Sequence, residues 1–179
     1  MDQIEPRLSK TAAKSDKWIA ISPGTEGALA LGLANVIIKE KLYNQKFVDT
    51  YSSGFEAHKK VVIDGFPPEI VSRITGVDAA TVAALAREFA RAKRPLAICG
   101  RGQGDTPGSL QEFLAVHTLN ALMGNINQPG GIVAVPEPDY IDWPEIEMDK
   151  IASNGLQQER VDGAGSKTYP YAWHGNLKA

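Results

Sequence analysis

The chain has 179 residues, 43% hydrophobic and 22% charged, which is enough apolar material for one folded domain and too much for a disordered chain. A net charge of -2 excludes the basic footprint of a nucleic-acid binder, and the single cysteine, Cys99, excludes an internal disulfide or a cysteine-built zinc or cluster site. No segment reaches the roughly 18 apolar residues of a membrane-spanning helix, and the first ten residues are polar, without the apolar core of a signal segment.

In chain order, Trp18-Ile19-Ala20-Ile21 reads as a short buried strand ended by Ser22-Pro23-Gly24, after which Thr25 can cap a helix running to about Lys41. Leu29, Leu33, Val36 and Ile37 fall on helical spacing. Charge is nearly absent from Gly27 to Ile38, so this helix is covered around most of its circumference, as helices flanking a parallel sheet are. A second short helix holds Phe47, Val48 and Tyr51. Pro67-Pro68-Glu69 opens a third, which Gly76 closes, and Asp78 caps the next, where Val82, Leu85, Ala86 and Phe89 form an apolar stripe. Leu96-Ala97-Ile98-Cys99 reads as a second buried strand, followed at once by the glycine-rich turn Gly100-Arg101-Gly102-Gln103-Gly104 and by a helix from about Ser109 to Met123.

Two apolar strands separated by helices require a crossover, so the expected class is α/β: a three-layer, partial doubly wound parallel sheet, a Rossmann-like half. Two strands are too few for such a sheet. Neighbouring strands are therefore expected from chain beyond these residues or from a partner. Residues 1–134 are expected to form this domain. From Val135 onward Pro136, Pro138, Pro144 and several glycines replace periodicity, so residues 135–179 read as an extended, irregular arm with a few helical turns around Trp143 to Ile151.

Strand-end turns are where open α/β sheets bind ligands. Pro23-Gly24-Thr25-Glu26-Gly27 is such a turn. An acid at Glu26 satisfies the helix macrodipole and also suits a nucleotide base, while Gly24 and Gly27 are accounted for by close approach of a ligand or a strand. Glu5-Pro6-Arg7 reads locally as a solvated tail, and its composition also suits a strand end where an acid faces ribose hydroxyls. Gly100 to Gly108 is a glycine cluster without the full dinucleotide fingerprint. Cys99 reads as a small hydrophobe, and His58, His117 and His174 lack ligand spacing. Gly124-Asn125-Ile126-Asn127-Gln128-Pro129-Gly130-Gly131 closes a helix with a loop flat enough to lie beneath a large planar ligand.

Taken in order, Glu5-Pro6-Arg7 with Thr11-Ala12-Ala13 and Asp16, then Pro23-Gly24-Thr25-Glu26-Gly27-Ala28-Leu29, resemble the molybdopterin oxidoreductase family, also called the dimethyl sulfoxide reductase family. Leu119-Asn120-Ala121-Leu122-Met123-Gly124-Asn125-Ile126 with Pro129-Gly130-Gly131 looks like that family's next landmark. The tail from Pro136-Glu137-Pro138 resembles its polysulfide reductase and menaquinone reductase branch.

The resemblance implies an internal piece of a catalytic-type subunit that holds molybdenum or tungsten between two molybdopterin guanine dinucleotides. It implies, as partners, the remainder of the subunit, an iron-sulfur electron-transfer subunit and a membrane anchor, and a periplasmic, membrane-associated parent. By the same resemblance Glu26, with Pro23, Gly24 and Thr25, lies at the guanine edge, where a carboxylate can accept two N-H donors at once. Glu5 and Arg7 lie at the ribose or base, Gly100 and Gly102 approach from the other strand end, and Asn125 belongs to the loop near the cofactor. The family's cysteine cluster, metal ligand and C-terminal β-barrel lie outside these residues, so no catalytic or metal-ligating residue is expected in this chain, no catalysis by it alone, and no cofactor bound by it apart from the parent. The family commonly has Asp where Glu26 stands and Gly-Arg where Asn127-Gln128 stand.

Overall fold

The computed structural model describes residues 1–99, 109–136, 147–158, 161 and 163. The chain divides into two compact units, Met1–Ala134 and Val135–Ala179. In the second, the described structure is one helix, α7 (Lys150–Gln157), capped where the Asp149 side chain accepts from the Ala152 N-H at 2.8 Å.

The first unit opens with two short strands, β1 (Asp2–Ile4) and β2 (Lys17–Ile19), paired in parallel with Ile4 opposite Ile19. A connection of about a dozen residues, near the minimum for a parallel crossover, joins them through a 3-10 turn at Ala12–Lys14. Six helices follow: α1 (Glu26–Lys39), α2 (Gln45–Tyr51), α3 (Phe55–Gly65), α4 (Pro68–Thr75), α5 (Ala79–Arg91) and α6 (Ser109–Leu122). The described fold is thus α/β and mostly helical, with one small parallel sheet.

The uncharged helix expected after Thr25 is α1, and it is the axis of the unit. It packs against α3, α4, α5 and α6, and buries Leu29, Leu33, Ala34, Val36, Ile37 and Ile38. Packing on several sides explains why its sequence carries no polar stripe. Gly32 lets α4 approach closely, since a Cβ there would stand 2.8 and 2.9 Å from the two methyl groups of Val71. Asn35 is the polar exception on this buried face, and its Nδ2 donates to the Val62 carbonyl in the last turn of α3 at 2.9 Å.

The punctuation from Pro67 to Asp78 behaves as the sequence predicts. Pro68 opens α4, Gly76 ends it in the left-handed region at φ 78°, and the Asp78 carboxylate accepts from Ala80 and Thr81 N-H at 3.0 and 3.2 Å to start α5.

Two local expectations need correcting, and one helix is not foreseen. The polar N-terminus supplies a strand: β1 pairs in parallel with β2, and its one apolar residue, Ile4, packs with Ile19 against the core, which composition does not reveal. Helix α3 has no sequence signal at its start, because it opens from Gly54 at φ 77° without a side-chain cap. Leu96-Ala97-Ile98-Cys99 is not a buried strand, since Leu96 is 41% and Ile98 79% exposed and no ladder bonds form along it among the described residues. The buried Asn120 carboxamide of α6 takes the Ala97 peptide instead.

Candidate functional site

Glu5 follows β1 directly, and all of its main-chain groups are held. Its N-H donates to the Ile19 carbonyl at 3.2 Å, and its carbonyl accepts from Trp18 Nε1 at 3.0 Å. The side chain is held as well, because Oε1 accepts from the Ser9 hydroxyl and from the Ser9 N-H at 3.4 Å. Arg7, exposed in the turn between them, forms no ion pair among the described residues.

The turn after β2 comes to the same end of the sheet, because the two strands are parallel and in register. Ile21 is buried beneath it. Gly24 has φ 80°, and a Cβ there would meet nothing within 4 Å, so this backbone faces open space. Thr25 occupies the N-cap position of α1 without capping it through its side chain; its hydroxyl turns back to donate to the Ser22 carbonyl at 2.7 Å. The N-H groups of Gly27 and Ala28 are therefore left by Thr25 to other acceptors, at the positive end of the helix dipole. Glu26 stands half-buried in that first turn.

Gly27 has an explanation other than a ligand or a strand. A Cβ on it would lie 3.2 Å from the Glu112 Cα, so it is the point where the first turns of α1 and α6 touch. Cys99 joins them from the end of the Leu96–Cys99 segment, its thiol donating to Glu112 Oε1 at 3.3 Å. The starts of α1 and α6 thus touch at Gly27 and Glu112, while β1 and β2 end together at Glu5 and Ile19. Chemically these two places offer carboxylates, helix-start N-H groups that the Thr25 side chain does not cap, an exposed guanidinium and an open glycine, a donor and acceptor set that fits an anionic nucleotide. Gly100 and Gly102 lie outside the described residues.

Asn125 lies elsewhere. The 14 residues of α6 make a helix about 20 Å long, and Asn125 follows its far end, where its Nδ2 donates to the Pro95 carbonyl at 2.5 Å. Its own carbonyl accepts from Ile132 N-H at 2.9 Å, and a Cβ on Gly131 would come within 2.1 Å of it. Asn127 takes a left-handed φ of 54°, which asparagine tolerates. At this far end α2, α3 and α6 also frame a cleft of about 520 Å³, walled by Phe47, Tyr51, Phe55 and Leu122. It contains none of the residues singled out at the strand ends.

Sequence reasoning missed Ser9, Trp18 and Glu112 in this region. Only Ser9 left a trace in the sequence, as a hydroxyl four residues after an acid. Among the described residues no cluster of three or more His, Cys, Asp or Glu side chains could hold a metal, and no helix is long and apolar enough to cross a membrane.

The architecture of the described residues is that of a mostly helical α/β protein with one small parallel sheet. The profile of the molybdopterin oxidoreductase family matches residues 2–165, and the chain belongs to that family. It is 31% identical to the arsenate respiratory reductase molybdopterin-containing subunit ArrA of Shewanella sp. (strain ANA-3), over 93% of this chain and 23% of that protein. It is 39% identical to the menaquinone reductase molybdopterin-binding-like subunit of Nitratidesulfovibrio vulgaris, over 73% of this chain and 18% of that one. Among solved structures, acetylene hydratase from Pelobacter acetylenicus superposes with a TM-score of 0.62 at 35% identity, over 69% of this chain and 17% of the other. The chain spans less than a quarter of the length of each.

Proposed function

We propose that this chain contributes part of the binding site for a molybdopterin guanine dinucleotide in a molybdenum- or tungsten-dependent respiratory oxidoreductase subunit, and that it is not catalytic alone. One observation carries this reading: the turn Pro23-Gly24-Thr25-Glu26, with open space over Gly24 and a helix start that Thr25 leaves uncapped, beside a Glu5 fixed on the neighbouring strand end. In the bound state the metal-pterin group supplies the electron-transfer chemistry. The chain's own residues bind and orient. Glu26 accepts from the guanine N-H groups, the first-turn N-H groups of α1 and Arg7 balance phosphate charge, and Glu5 takes a ribose hydroxyl.

On this reading residues 1–134 are the nucleotide-binding domain, and the turn bearing Gly100 and Gly102 approaches the same ligand. Other parts of the parent complete a doubly wound sheet. Its partners are an iron-sulfur electron-transfer subunit and a membrane anchor, at the periplasmic face. Metal and pterin analysis of the intact parent tests the reading: molybdenum or tungsten with guanine nucleotide released on denaturation is the expected result.

A second reading is favoured by the relative named a molybdopterin-binding-like subunit. In it the parent is a structural subunit descended from such enzymes. A folded parent that contains neither metal nor pterin would establish this reading over the first.

A further inference from the structure

We propose that Ser9 is a positioning residue that orients the Glu5 carboxylate for a ribose hydroxyl, and so sets a preference for ribonucleotide over 2′-deoxyribonucleotide. The inference rests on the nucleotide-binding reading above and deepens it.

Glu5 is held at every group except one oxygen. The β1–β2 ladder takes its N-H, Trp18 Nε1 takes its carbonyl, and the Ser9 hydroxyl and N-H both fall on Oε1. No bond from a described residue falls on Oε2. Ser9 is itself fixed, because its Oγ accepts from Thr11 N-H and Ala12 N-H at 3.1 Å each and its carbonyl accepts from Ala13 N-H at 2.9 Å. The result is a carboxylate with one oxygen anchored by a rigid turn and the other without a bond from any described residue. A group whose rotamer is locked in this way loses little freedom when a ligand hydroxyl donates to it. Glutamate would otherwise have to give up three side-chain torsions on binding.

Calorimetric titration of the purified intact parent protein, freed of its own nucleotide, with guanosine 5′-diphosphate and with 2′-deoxyguanosine 5′-diphosphate tests this. The wild type is expected to bind the ribonucleotide more tightly. Ser9→Ala is expected to bind it about tenfold more weakly, the scale of one charge-assisted hydrogen bond, while its affinity for the deoxynucleotide stays at the wild-type value. The unchanged deoxynucleotide affinity shows that the site is still folded. Ser9→Thr, which keeps the hydroxyl, is expected to restore the preference, and Glu5→Ala to reproduce Ser9→Ala. Equal weakening of both nucleotides by Ser9→Ala, or an intact preference in that variant, would overturn the proposal. If Glu26→Ala weakens binding while the Ser9 and Glu5 variants behave as wild type, this proposal falls and the functional reading stands. Failure of the wild type to bind either nucleotide would remove both.

Discussion

Asn120 and Ala97 pair as two strands would: the Ala97 N-H donates to Asn120 Oδ1 at 2.9 Å, and Asn120 Nδ2 donates to the Ala97 carbonyl at 2.8 Å. A single buried carboxamide on α6 thereby satisfies the Ala97 N-H and carbonyl, which have no ladder partner among the described residues, and it fixes the segment that precedes Gly100. Asn120→Leu keeps the volume and removes both bonds. Leaving a part-buried peptide unpaired costs about 2–4 kcal/mol, so urea unfolding is expected to show a loss of that size.

Gly32 sits where α1 crosses α4, with Val71 methyl groups 2.8 and 2.9 Å from the position of an added Cβ. In an open helix Gly32→Ala would stabilise through propensity; here overpacking dominates, and a net loss of about 1–3 kcal/mol is expected. Val71→Ala, destabilising by itself, is expected to relieve the clash, so the double variant should be more stable than the two single losses predict when added. Thermal melts of the four proteins measure the coupling.

Gly27→Ala separates stability from binding. The new methyl gains helix propensity of about 1 kcal/mol and meets the Glu112 backbone at 3.2 Å, so the first turns of α1 and α6 have to move apart. The melting temperature is expected to change little while guanine nucleotide affinity falls several-fold. A drop in stability with unchanged affinity would place the contact outside the binding region.

His58 makes the fold sensitive to acid. Burial lowers its pKa below the ordinary histidine value, and its Nε2 is buried without a partner among the described residues. The folded-state pKa therefore lies below that of the unfolded chain, about 6.5. Below that value the unfolded chain binds the proton more readily, so the contribution is complete above pH 6.5 and lost as pH falls toward the folded-state pKa. The urea midpoint is expected to drop between pH 7.5 and pH 5, with a shallower drop in His58→Gln.

Much of this architecture is legible in the sequence, and the part that is not has a common cause. Helix α1 is readable because its uncharged run can only be a helix covered on several sides, and α4 and α5 because Pro68, Gly76 and Asp78 act through local backbone chemistry. β1 is not readable, since three residues, two of them polar, become a strand only through pairing with Lys17–Ile19. The Leu96–Cys99 segment misleads for the complementary reason: its apolar side chains signal burial, yet Leu96 and Ile98 are exposed in this chain. At the candidate site the turn around Glu26 is legible from its proline and glycine. The reason for Gly27 is not, because the atom that excludes a side chain belongs to Glu112, far along the sequence.

The most direct test of the central claim compares guanosine 5′-diphosphate with inosine 5′-diphosphate, which lacks the 2-amino donor, by calorimetry on the wild type and Glu26→Ala. A carboxylate that accepts two guanine N-H groups predicts that inosine 5′-diphosphate, which keeps only the N1-H donor, binds the wild type about tenfold more weakly, and that Glu26→Ala binds both nucleotides equally, below the wild type's affinity for inosine 5′-diphosphate. Equal affinity of the wild type for the two, or a guanine preference that survives Glu26→Ala, would contradict the assignment of this turn as the guanine contact.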